Sequence, residues 1–181
     1  MSSTGTRLDR ASEAEARDLL TSCLAAPRWV EGMLAGRPYA DRDAVLDRAR
    51  DLVGHLSDED VESALARHPR IAEPAGSGHD VAFSTAEQAG VDPRDRAGVS
   101  ALRAGNAAYE ARFGRVFLIR AAGRSSEEIL EELHRRLRNS PEAERREVAA
   151  QLGEIALLRL EQLVTEVVAE DEGGPDMGRR S

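Results

Sequence analysis

From about residue 10 to residue 168, apolar residues recur every three or four positions, broken by short polar caps, glycines and prolines. That period belongs to helices with one buried face. Ser12-x-x-Glu15 has the spacing of a capping box and opens the apolar set Leu19, Leu20, Cys23 and Leu24. Pro27 suits the first turn of a short helix through Leu34, closed by Gly36 and Pro38. Asp41 or Asp43 caps a third helix, with Val45, Leu46, Ala49, Leu52, Val53 and Leu56 on one face. Ser57-Asp58-Glu59-Asp60 caps a fourth, which runs to about Arg67 and is stopped by Pro69.

Residues 70–82 carry Pro74, Gly76 and Gly78 and form the longest internal loop. Ser84 begins a short helix that Gly90 and Asp92 end, and a longer helix follows over about 94–113, terminated by Gly114. Residues 115–121, RVFLIRA, are the one strand-like run. Ser125 or Ser126 caps a helix through Leu137, and Ser140-Pro141 starts the last and longest helix, to about Val168. There is neither an internal repeat nor a βαβ alternation. The expected fold is all-α: a single compact multi-helix domain over residues 10–169, with one short extended segment near 115–121. Residues 1–9 and 170–181 are polar or charged, and both ends are expected to be disordered.

Composition narrows the chemistry. The 25 basic residues are all arginine. With no lysine there is no Schiff base for pyridoxal phosphate, no P-loop lysine and no kinase β3 lysine. Cys23 is the single cysteine, so internal disulfides and cysteine-rich zinc sites are ruled out. A net charge of −8 argues against nucleic acid as a partner. No apolar run is long enough to span a membrane, and no secretory or peroxisomal signal is visible, so a cytoplasmic protein is expected. No H-x₃-H or H-E-x-x-H spacing occurs, so no metal site is expected, and neither a G-x-S-x-G elbow nor a complete nucleotide fingerprint is present.

Three places carry candidate chemistry. His68 falls at a helix C-terminus just before Pro69, where the helix-end carbonyls favour a protonated ring. It reads either as a helix-end histidine or as a proton-transfer group at the mouth of a loop. Ser84-Thr85-Ala86-Glu87-Gln88 fits a capping box. It also offers backbone N–H groups, a carboxylate and an amide together, a set that suits a urea- or amide-like ligand. Arg159 lies inside the apolar arc Val148, Leu152, Ile155, Ala156, Leu160 and Leu163, and an inward arginine needs a carboxylate or an anionic ligand. Glu87 is one possible partner. Asn106 shares a face with Val99, Leu102 and Phe113, and reads as a residue serving the backbone. His55, His79 and His134 read as ordinary surface or loop residues.

The order of these pieces is more specific than any one of them. His68-Pro69-Arg70-Ile71, Ser84-x-x-Glu87-Gln88-Ala89-Gly90, Tyr109-Glu110-x-x-Phe113-Gly114-x-x-Phe117-Leu118-Ile119, Arg136-Leu137-x-Asn139 and Leu158-Arg159-Leu160 follow one another along the chain. This succession resembles the 2-oxo-4-hydroxy-4-carboxy-5-ureidoimidazoline (OHCU) decarboxylases of urate degradation, over about residues 12–168. The resemblance implies an all-helical homodimer without metal or cofactor. It implies a carboxy-lyase, a carbon–carbon lyase that releases (S)-allantoin and CO2.

Carried over by motif, His68 is the acid/base that donates the proton, and Glu87 is the second catalytic residue. Pro69, Ser84, Thr85, Ala86, Glu87 and Gln88 then border the substrate. Leu118, Ile119, Arg120 and Ala121 offer backbone contacts, and Arg159 anchors a substrate oxygen. Arg120 departs from the smaller residue expected at its position. Urate oxidase and hydroxyisourate hydrolase are the implied functional partners. Two other readings compete: a related cofactor-free lyase acting on another ureido heterocycle, and a non-enzymatic helical adaptor using the 141–168 helix.

Overall fold

Side-chain caps open most of the helices. The computed structural model describes residues 6–68, 71 and 94–171, with side chains as far as Val164. Eight helices lie among them: α1 (Arg7–Arg10), α2 (Glu13–Cys23), α3 (Pro27–Ala35), α4 (Arg42–Val53), α5 (Asp58–Leu65), α6 (Arg96–Phe113), α7 (Ser126–Arg136) and α8 (Pro141–Asp171). Ser12 accepts the Glu15 N–H at 3.3 Å while the Glu15 carboxylate takes the Ser12 N–H at 2.9 Å. Ser57 and Asp60 repeat this box at α5, and Ser125 and Glu128 at α7. Asp41, rather than Asp43, caps α4 through the Ala44 N–H at 2.9 Å. Each such cap is worth about 1 kcal/mol.

The N-terminal end differs from expectation. Residues 1–9 read as disordered, yet Arg7–Arg10 form a helical turn, and Leu8 is completely buried. Thr6 and Asp9 make a capping box there, with the Thr6 N–H on the Asp9 carboxylate at 3.0 Å. One buried leucine and one box are enough to fold a single turn onto the bundle. At the other end, α8 continues to Asp171, beyond the expected Val168.

Two hydrophobic clusters form the interior. The larger joins α1 to α5 with α8, around Leu20, Trp29, Met33, Val45, Ala49, Val61, Leu152 and Leu160. Gly153 lets α8 approach α4, since a Cβ there would stand 2.3 Å from Val53 Cγ1. The smaller cluster pairs α6 with α7 through Leu102, Tyr109, Ile129 and Leu133. Gly114 ends α6 with φ 69°, a left-handed cap that glycine takes without strain.

Residues 115–121 run between the clusters, and no strand occurs among the described residues. Their side chains alternate. Val116 and Leu118 pack in the larger cluster, whereas Phe117, Ile119 and Ala121 pack in the smaller. The period of two that makes this run strand-like serves two cores rather than the two faces of a sheet. No helix among the described residues is long and apolar enough to cross a membrane.

Candidate active site

His68 closes the turn that follows α5, its backbone N–H on the Leu65 carbonyl at 3.0 Å. Its ring Nδ1 lies 2.9 Å from the Ala64 carbonyl. A carbonyl only accepts, so Nδ1 carries the hydrogen and Nε2 is the bare nitrogen of the neutral ring. The ring is half-buried and Nε2 itself is shielded from solvent.

α5 is held on two sides. Glu62, six residues before His68, pairs with Arg115 at 2.9 Å, at the entrance to the extended segment. The Ser63 hydroxyl donates to the Ala25 carbonyl at 3.0 Å. Arg159 of α8 reaches the same α2–α3 junction: it is 3% exposed, and its Nη1 donates to the Ser22 carbonyl at 3.1 Å. α5, which leads into the His68 turn, and the guanidinium of Arg159 therefore dock on one short stretch, residues 22–25. Arg159 lies inside the core arc, as its spacing predicts.

The segment after Arg115 is the third candidate element. Leu118, Ile119 and Ala121 are buried in the clusters, so only their backbone and the Arg120 side chain are left to meet a ligand. Arg120 is partly exposed and leans on Glu154 with Nε 3.8 Å from the carboxylate, an exposed pair of small energetic weight. Ile71, three residues after His68, packs in the same cluster as Ile119 and Ala121. Asn106 donates to the Ile71 carbonyl at 3.0 Å, which is the backbone role expected of it. Pro69, Ser84, Thr85, Ala86, Glu87 and Gln88 lie outside the described residues, as does His79.

One buried cluster beside the candidate site was not anticipated. Arg136 is fully buried and Glu144 is 1% exposed. Arg136 Nε meets the Glu144 carboxylate at 2.8 Å, and its Nη1 donates to the Leu118 carbonyl at 2.6 Å. The Tyr109 hydroxyl donates to Glu144, and Asn139 Nδ2 donates to the other Glu144 oxygen at 2.8 Å. The guanidinium also stacks over Phe117, 4.8 Å from the ring centroid. Burial, followed by the bond to Glu144, pushes the Tyr109 hydroxyl above its ordinary pKa. Tyr109, Phe117, Arg136 and Asn139 are four of the motif residues quoted above. Here they make a buried clamp on the extended segment. A sequence signal existed: Arg136 stands seven residues after Ile129, on the face that also carries Leu133.

A family profile described as OHCU decarboxylase matches residues 9–161. The chain belongs to the OHCU decarboxylase family. Its similarity to the 2-oxo-4-hydroxy-4-carboxy-5-ureidoimidazoline decarboxylase of Amia calva is 31% identity over 140 residues, covering 72% of this chain and 76% of that protein. It is also 25% identical over 164 residues to the uric acid degradation bifunctional protein of Bacillus sp. (strain TB-90), covering 88% of this chain. The chain spans only 32% of that longer relative. The crystal structure of an OHCU decarboxylase in the presence of (S)-allantoin superposes with a TM-score of 0.70 at 22% identity, over 86% of this chain and 99% of the other. That of an (S)-allantoin synthase gives 0.61 at 18% identity, over 87% and 52%. These likenesses place the all-helical architecture within the OHCU decarboxylase fold.

Proposed function

We propose that the chain decarboxylates 2-oxo-4-hydroxy-4-carboxy-5-ureidoimidazoline to (S)-allantoin and CO2, with His68 as proton donor. What carries the reading is the orientation of His68. This histidine matches the family's motif, and the bond of its Nδ1 to the Ala64 carbonyl supports Nε2 as the proton-exchanging nitrogen.

The chemistry follows from the substrate. The carboxylate leaves the carbon that also bears the hydroxyl. The electron pair of the broken C–C bond forms a C=C bond to the neighbouring ring carbon, and the C=N pair of that carbon moves onto nitrogen. The ring nitrogen that received the C=N pair is protonated and the enol gives up its hydroxyl proton as the carbonyl forms, two transfers that cancel, and the ureido-bearing carbon takes one further proton. Nε2 of His68 delivers that proton to one face, so a single enantiomer results. The net change is loss of CO2 and gain of a proton at carbon.

In this reading Glu87 assists the proton transfer, and Ser84, Thr85, Ala86 and Gln88 hold the ureido and ring amides. Pro69 borders the substrate, and the backbone of 118–121 lines the opposite side. Arg159 anchors a substrate oxygen. A cytoplasmic homodimer, supplied by urate oxidase and hydroxyisourate hydrolase, belongs to the same reading. The family match over residues 9–161 and the Amia calva relative support it.

The test is circular dichroism during urate oxidation, with urate oxidase and hydroxyisourate hydrolase present. Adding the protein is expected to build up one allantoin enantiomer quickly. The His68→Asn variant is expected to be slower by about 10²–10⁴-fold. Slow racemic allantoin, identical with and without the wild-type protein, would sink the assignment and favour another ureido heterocycle as substrate.

A further inference from the structure

The extended segment has no neighbouring strand among the described residues, so its backbone needs partners of another kind. Two long side chains supply them. Arg136 of α7 donates to the Leu118 carbonyl at 2.6 Å. Gln151 of α8 accepts the Arg120 N–H through Oε1 at 2.8 Å. In an extended chain the N–H and C=O of one residue point to the same edge, and those of the next residue to the other. Residues 118 and 120 therefore present the edge that the helices hold. Residue 119 and the N–H of residue 121 present the opposite edge.

The two tethers differ in kind. Arg136 sits in the fully buried clamp and is bound up with the stability of the fold. Gln151 is only partly buried and makes one bond to the segment, near its C-terminal end. It lies on the helix that carries Arg159, eight residues earlier, about 12 Å along the axis.

We infer that Gln151 is a positioning residue: by holding the Arg120 N–H it fixes the height and tilt of the opposite backbone edge that meets the substrate's amide groups. The inference rests on the proposed decarboxylase reading, in which the 118–121 backbone contacts substrate. Only the acceptor oxygen of Gln151 is used, so a carboxylate can replace it and a hydrocarbon of similar length cannot.

The experiment compares Gln151→Leu and Gln151→Glu with the wild-type chain in the coupled urate assay, reading kcat, KM and the enantiomeric purity of allantoin. Amide hydrogen exchange at Arg120 is read alongside. Gln151→Leu is expected to lose about 10- to 100-fold in kcat/KM, the scale of a small misplacement of substrate. It is also expected to yield less enantiomerically pure allantoin and to lose protection of the Arg120 amide. Gln151→Glu is expected to restore all three. A residue that merely stabilised the fold would shift the thermal midpoint but leave enantiomeric purity untouched. Wild-type kinetics and purity in Gln151→Leu would overturn the inference, as would a Gln151→Glu variant no better than Gln151→Leu. Wild-type protein producing no enantiomeric build-up would instead remove the decarboxylase reading, and the inference with it.

Discussion

His68 Nδ1 and the carbonyl of Ala64 stand 2.9 Å apart, one helical turn from each other in sequence. The bond holds the ring against the end of its own helix and selects its tautomer, because a carbonyl has no hydrogen to give. The neutral ring is therefore expected to be the Nδ1–H form. Nitrogen-15 NMR of histidine-labelled protein above the titration range should show the protonated-type signal at Nδ1 and the bare-type signal at Nε2. The reverse assignment would remove Nε2 as the proton-exchanging atom.

The Arg136–Glu144 pair makes a stability prediction. Arg136→Met leaves the Glu144 carboxylate buried with only the Tyr109 hydroxyl and Asn139 amide to answer it. Breaking such a pair from one side costs about 3–5 kcal/mol, a large part of the about 5–15 kcal/mol that keeps a domain folded. The double variant Arg136→Met/Glu144→Leu removes both charges and should be more stable than Arg136→Met alone. Urea unfolding followed by Trp29 fluorescence checks this, because Trp29 is buried with its indole N–H on the Ala49 carbonyl at 3.3 Å. A double variant weaker than the single would show that something other than charge burial sets the cost.

Alkali should act through the tyrosines. The chain has two, and both hydroxyls are raised above the ordinary value. Burial is the main cause in each; Glu144 adds to it at Tyr109, and Tyr39 donates to the Met33 carbonyl at 2.7 Å. In the unfolded chain they ionise near about pH 10. Above that pH the native state holds more protons than the unfolded chain, so stability present below it is lost as pH rises. Tyrosinate absorbance is expected to stay flat through pH 10 and then rise together with the Trp29 unfolding signal. An ordinary tyrosine curve in a protein with native Trp29 fluorescence would contradict the buried positions.

Much of this architecture is legible in single residues. Ser12, Asp41, Ser57 and Ser125 stand where the caps are, because a short side-chain oxygen before an apolar period has few other uses. Arg159 could be placed inside by angle alone. Thr6-x-x-Asp9 carried the same cap signal for α1, but one leucine makes no period to read. The Arg136 clamp was hidden for a different reason. Its partners come from two other helices and the extended segment, and only the tertiary fold brings Tyr109, Leu118 and Glu144 to one guanidinium. The strand-like run does alternate between two sides, but local pattern does not say whether a sheet or a pair of cores will take up an alternating chain.

That run has a consequence for the behaviour of the chain in concentrated solution. VFLI is the most strand-prone stretch in the sequence, apolar and without a charge of its own. Such stretches, left open at an edge, recruit copies of themselves into cross-β stacks. Here it is wrapped by helices on both faces, with arginine and glutamine side chains occupying bonds a second chain would compete for. The clamp is thus also a form of quarantine, and any variant that loosens α7 or α8 exposes the one part of the molecule most able to seed aggregation.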